Sequence, residues 1–263
     1  MTYKNKPDTS KMQSIWHKYL KGFLPIYNKE IAYWQKNYRW LSQLIIWMSL
    51  TALPAIGATQ YGAKDAEISY LTLFIWLTSI FTALGVIILA QGCIIEEKLT
   101  QTLLWIFSKP VSASGFILGK FLSYSVFMGT IALGVPAIFI YLVALVLGLP
   151  QQITFLNYLV AILLVYLLVL FNLAVTLMLG AIFDSIKIVT AIALFVFVGG
   201  ASLNSNAQLS KFEPYSPFSL QRHAITTLVY GFPQQAWLSI SVTVSLIISL
   251  LLISFWWMER YEF

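Results

Sequence analysis

Six apolar runs alternate with short polar links along the chain, near 41–58, 70–92, 121–148, 155–183, 187–203 and 236–258. Each is long enough for a helix to cross a hydrocarbon core, which takes about 20 residues. The third and fourth exceed that length and predict helices that tilt or extend into the interface. Pro54 and Pro136 lie inside the first and third runs and predict kinks there. Between the second and third runs lies a charged, helix-prone insert, 93–120. Ile95, Leu99, Leu103 and Ile106 recur in it at helical spacing, with Glu96, Glu97, Lys98, Thr100 and Gln101 pointing elsewhere. Lys109-Pro110 stops that helix, because a residue before proline disfavours the α conformation. Ser112-Ala113-Ser114-Gly115 then predicts a turn, and Gly119-Lys120 enters the third run. Spacing leaves two readings open: a surface helix held by its apolar face with acids free to pair with a partner, or a solvated loop.

Residues 1–40 carry two amphipathic stripes. Ser10 and Gln13 fit a capping box, after which Met12, Ile15, Trp16, Tyr19 and Phe23 share one face. Pro25 ends or kinks this helix, and Tyr27, Ile31, Trp34 and Tyr38 form the second stripe, with Lys29, Lys36 and Arg39 lying away from it. Aromatic on one side and basic on the other, the arm predicts helices in the lipid headgroup layer, anchored by Trp16, Tyr19, Trp34 and Arg39. A soluble helical hairpin packed on a partner is the alternative. His17 reads as a surface residue of this arm.

Composition agrees with the pattern. Of 263 residues, 59% are hydrophobic and 10% charged, whereas soluble domains carry about 25% charged residues. A polytopic membrane protein follows, with no removable signal peptide expected in the polar, basic first 40 residues. The single cysteine, Cys93, excludes an internal disulfide framework and a multi-cysteine metal site. Charge sets the orientation: thirteen basic residues fall in the arm, the 93–120 insert, the 184–187 link and the tail, against Lys64, Lys211 and Arg222 on the other side. The positive-inside rule places both termini and the insert in the cytoplasm. The net charge of +6 comes from this asymmetry and does not favour nucleic acid, since the cations sit among membrane-facing aromatics.

Several chemistries are missing. The nearest approach to a phosphate-binding loop, Gly115 to Phe121, is one residue short and ends in Phe where Mg²⁺ needs a hydroxyl. The cores of the spans carry no Lys, Arg, Asp or Glu, which weighs against an ion-coupled carrier. His17 and His223 fall on opposite sides of the predicted membrane. The outer segment, 204–235, is moderately polar and helix-compatible in its second half, with Tyr215, Phe218 and Arg222 as candidate functional residues. Trp256, Trp257 and Tyr261 read as an aromatic belt anchoring the last span.

Glu-Glu-Lys at 96–98, Thr-Leu-Leu at 102–104, Ser-Lys-Pro-Val at 108–111 and Gly-Lys-Phe-Leu at 119–122 resemble the signature of type-2 ATP-binding-cassette (ABC) exporter permeases. The resemblance implies that the insert is a coupling helix docking on a separate ATPase subunit. Glu96, Glu97 and Lys98 then contact the ATPase, Thr102 and Leu103 belong to the same coupling set, and Lys109, Pro110 and Val111 shape the exit from the helix. It further implies that this chain binds no cofactor and catalyses no reaction, with ATP and Mg²⁺ on the partner, and that a second permease copy or homologue completes the pathway. Membrane lipids are expected partners, and a bacterial inner membrane the expected location. The 204–235 segment becomes a candidate re-entrant exit lined by Tyr215, Phe218 and Arg222. One departure is Gln101, where many members have glycine; glutamine there favours an uninterrupted helix. The expected fold is an all-α membrane protein: a 1–40 interfacial arm and a 41–263 permease domain of six transmembrane helices, with the coupling helix and the outer segment. The rivals are an ATPase-linked module that transmits force or helps assembly without transport, and an ATP-independent lipid-binding scaffold.

Overall fold

In the computed structural model the described residues are 20–58, 66–147, 153–205 and 212–261; Trp16, Tyr19, His17 and the first arm stripe up to Tyr19 lie outside them. All regular structure among these residues is helical. Helix α1 (Phe23–Gln35) ends at a corner where Asn37 and Tyr38 both take φ 56°, a left-handed conformation that turns the chain out of the helix. Helix α2 (Arg39–Trp47) follows and runs through a wide π turn, Met48–Ala52, into α3 (Leu53–Ala58). Then come α4 (Ala66–Ala90), the short α5 (Ile95–Leu99) and α6 (Thr102–Phe107), and α7 (Ala113–Phe127), which passes through a second π turn, Met128–Gly134, into α8 (Val135–Val146). Helices α9 (Phe155–Ile182), α10 (Ile186–Ser205), α11 (Ser219–Tyr230) and α12 (Ala236–Glu259) complete the order.

The kinks expected at Pro54 and Pro136 take the form of these π turns. Proline has no N–H and its ring clashes with the carbonyl four residues back. Just ahead of each proline the ladder widens, so that Leu53 N–H bonds Met48 O and Val135 N–H bonds Thr130 O.

Among the described residues, five helical segments are long and apolar enough to cross a membrane: Phe23–Gly57, Tyr70–Leu99, Ala113–Val146, Phe155–Ile182 and Ala236–Glu259. The fifth expected run forms α10, whose apolar stretch, Ile186–Ser202, is shorter. The third segment begins at Ala113 rather than near 121, because Ser112, in extended conformation, caps it by accepting the Gly115 N–H at 3.0 Å. The 112–115 turn is thus a helix start, and the insert shrinks accordingly.

Helix α9 is the central post, packing against α4, α10, α11 and α12. Val165, Leu168, Leu173 and Leu177 are buried along it. Two of its buried polar groups are satisfied within the helix, Asn172 donating to Leu168 O and Thr176 to Asn172 O, while Tyr158 reaches Ala137 O and Tyr166 reaches Ser125. Helix α1 lies on α7, and this pair carries the site.

Candidate functional site

The segment after α4 is broken in two by Gln101, at φ 56° and ψ 9°. The expectation of an uninterrupted helix is therefore corrected. Thr100 Oγ1 donates to Glu96 O at 2.7 Å and pairs with Thr102 Oγ1 at 2.8 Å. These local bonds offer the backbone an alternative to the helical ladder. The break also splits the expected apolar stripe. Ile95 and Leu103 are buried and Ile106 half-buried, but Leu99 is 66% exposed.

Two of the segment's charges, Glu97 and Lys98, point inward. Glu97, expected to be an exposed acid, is buried. Its Oε1 accepts from Lys29 of α1 at 2.6 Å and lies 3.2 Å from Lys120 Nζ of α7. Lys120, 1% exposed, also donates to Glu30 Oε1 of α1 at 2.8 Å. The four residues tie α1, α5 and α7 together where a buried charge needs both pairing and hydrogen bonds. Lys98 is turned inward as well. Its ammonium donates to Ala181 O (2.8 Å), Phe183 O (3.3 Å) and Asp184 Oδ1 (2.9 Å), and it sits 4.7 Å from the Tyr261 ring. All three ammonium donors are used, two on carbonyls at the end of α9 and one on the Asp184 carboxylate, where a cation also meets the negative end of the helix dipole. This contact brings the insert, the 183–185 link and the tail to one end of the molecule.

The buried face of α1 is Ile26, Glu30 and Trp34, with Tyr27 and Ile31 half-buried beside it and Tyr38 exposed. That is one position off the stripe expected from hydrophobicity. Trp34, expected in the headgroup layer, stacks on Phe127 at 3.9 Å and meets Tyr124 edge-on at 5.5 Å. Gly119 permits this approach, since a Cβ there would lie 2.9 Å from Ile26. Val111 packs against Gly22 at the entry to α1, and Ser112 N–H bonds Lys21 O at 2.9 Å. Arg39 is exposed, with its guanidinium 4.0 Å above the Tyr33 ring.

What the segment leaves outward is mostly apolar. Leu99 (66%), Leu104 and Trp105 (73%) are exposed, beside exposed Lys109 and Pro110, with Lys109 Nζ 5.9 Å from the Trp105 ring. Thr102 is half-buried and Leu103 buried beneath. Glu96 is exposed and lines a cavity of about 570 Å³ between α1, α2, α4 and α5.

The three outer candidates do not converge. Tyr215 is 60% exposed, Arg222 pairs with Glu213 at 2.6 Å, and Phe218 is buried edge-on against Phe171 and Phe197. Behind it, buried His223 Nε2 lies 3.1 Å from Ser239 Oγ, which donates to Pro214 O at 3.0 Å. With that hydroxyl proton committed, the neutral imidazole donates from Nε2. Burial holds His223 below its ordinary pKa, with Glu213 acting the other way.

Residues that sequence reasoning missed are Lys29, Glu30 and Lys120 as one network with Glu97, and Leu104 and Trp105 as outward groups. Oppositely charged residues beside a membrane edge in α1 and α7 were the available signal for the first. A family model described as ABC-2 family transporter protein matches residues 19–256. No curated protein matches the chain.

Proposed function

The chain belongs to the ABC-2 transporter permease family, and from that premise we propose that it is the transmembrane subunit of an ATP-driven exporter, coupled to an ATPase carried on a separate chain. The observation that carries the coupling is the outward face of the 99–105 segment. Leu99, Leu104 and Trp105 are exposed on a piece of chain whose charges Glu97 and Lys98 are held in internal ion pairs. Exposed apolar groups grouped together mark an interaction site, and a tryptophan beside a cation is a strong anchor for one. In this reading Lys109 and Pro110 border the docking patch. Glu97 and Lys98 do not touch the ATPase but fix the patch to α1, α7 and the end of α9, so a push on it is delivered to three spans.

Orientation and topology follow from the same contacts. The insert, the 183–185 link and the tail share one end, and the sequence assigns thirteen of its sixteen basic residues to the side that carries them. The positive-inside rule makes it cytoplasmic, with both termini there. Helix α10 serves as the fifth of six spans, its 20 residues reaching about 30 Å, close to the hydrocarbon thickness. Phe218 meets Phe171 and Phe197, about 16 Å along α9 and α10 from their cytoplasmic ends at 1.5 Å per residue. That depth supports a re-entrant outer segment. Two such subunits, or one and a homologue, enclose the pathway and alternate between inward and outward states in a bacterial inner membrane.

The test is co-purification of the tagged permease with its cassette ATPase, with Trp105→Ala as the variant. Losing such an anchor lowers the affinity at least about thirtyfold, the size of a hot spot of 2 kcal/mol. The melting temperature stays unchanged because Trp105 is 73% exposed. An ATPase held as tightly by the variant as by the wild type would refute the reading.

A further inference from the structure

The cavity between α1, α2, α4 and α5 is about 570 Å³, within the range of small-molecule sites. Its wall is two-sided. Ile88, Leu89 and Trp34 line it with apolar surface, while charged groups of α1, α2, α5 and α7 line the rest. Four of those charges cancel among themselves: Lys29 and Lys120 against Glu30 and Glu97. Two do not. Arg39, at the start of α2, and Glu96, on α5, both line the cavity, both are exposed, and neither is ion-paired among the described residues. A site with a guanidinium stacked on Tyr33 but free of ion pairs, a carboxylate likewise free of them, and an apolar wall matches a ligand with an anion, a cation and a tail.

We propose that this cavity binds a zwitterionic phospholipid of the phospho-amine class, with its phosphate on Arg39, its ammonium on Glu96 and its acyl chain along Ile88 and Leu89. Guanidinium presents a planar donor fork that suits phosphate, and a carboxylate is the natural acceptor for a primary ammonium. Neither an anionic nor a cationic lipid satisfies both groups. The inference rests on the exporter reading only for orientation, which places the cavity at the cytoplasmic leaflet.

The test uses the purified permease without any ATPase, equilibrated with equimolar phosphatidylethanolamine and phosphatidylglycerol and read by native mass spectrometry. Wild type retains phosphatidylethanolamine over phosphatidylglycerol by about fivefold, the size of one partly exposed charge contact. Glu96→Gln abolishes that preference, Arg39→Gln loses both lipids, and Arg39→Lys, which keeps the charge but not the fork, retains less of both lipids than wild type while keeping the preference. Equal retention of the two lipids by wild type, or the same preference in Glu96→Gln, would overturn the site. So would displacement of the lipid by an equal concentration of free phosphoethanolamine, which would show a soluble zwitterion as the ligand. A negative result here leaves the Trp105→Ala experiment standing, and loss of that experiment leaves the lipid measurement standing, so the two failures are distinct.

Discussion

Replacing Lys120 by Met removes the cation at the centre of the α1–α5–α7 junction while keeping most of its volume. The wild-type ammonium is 1% exposed and lies 2.8 Å from Glu30 Oε1 and 3.2 Å from Glu97 Oε1. Without it, Glu30 and Glu97 remain as two buried carboxylates with Lys29 as the nearest cation. Lys29 does not substitute, because its side chain is 52% exposed, and a pair open to water contributes only about 0–1 kcal/mol. Breaking a buried pair by removing one partner costs about 3–5 kcal/mol. At roughly 2–4 °C per kcal/mol for a chain of this size, the melting temperature should fall by about 10 °C. Thermal unfolding in a mild detergent, followed by the fraction of monodisperse protein after heating, measures it. A triple variant, Lys120→Met with Glu30→Gln and Glu97→Gln, should recover most of the loss, because neutral groups no longer carry the cost of buried charge. Lys29→Ala, by contrast, should lower stability by under about 1 kcal/mol. A Lys120→Met protein within 2 °C of wild type, a figure well below the expected shift, would refute the reasoning. So would a triple variant as unstable as the single one.

Three further outcomes follow from the same geometry. Gln101→Gly should stabilise the protein by about 1 kcal/mol, since φ 56° strains a side chain that glycine lacks; a lower melting temperature would contradict the left-handed break. Gly200→Ala should cost about 1–3 kcal/mol, as its methyl meets the Phe218 ring, and Phe218→Leu in the same chain should restore part of it in the same thermal assay. For His223 the folded-state pKa is lowered by burial, so the unfolded chain binds more protons; stability is present above the ordinary value near 6.5 and falls as pH drops below it. Melting temperatures between pH 7.5 and 5 should decline in wild type and flatten in His223→Gln, and parallel curves would assign the slope to other groups.

How much of this was legible in the chain depended on how local each signal was. Span positions, proline distortions and the membrane class rest on runs of neighbouring residues, and α9 and α12 lie within a residue or so of the expected 155–183 and 236–258. The junction was not legible, because its bonds join residues 68 and 90 positions apart. Hydrophobic periodicity assigned α1 the face Tyr27, Ile31, Trp34 and Tyr38, since it discounts a face that contains a glutamate. The buried face is Ile26, Glu30 and Trp34, and it becomes buriable only once Lys120 meets Glu30. Periodicity sees the cost of burying that carboxylate and not the partner that offsets it. The same logic explains why Glu97 and Lys98 looked outward. An acid and a base on a surface helix read as groups seeking a partner protein, when their partners were Lys29, Lys120 and the carbonyls closing α9. The Gly119-Lys120 pair shows what a motif carries beyond periodicity. Glycine lets Ile26 approach, lysine neutralises Glu30, and the two adjacent residues specify how the arm seats on the span. A signature that resembles a docking motif therefore divides into an outward part, Leu99 to Pro110, and an inward part that sets where the outward part stands.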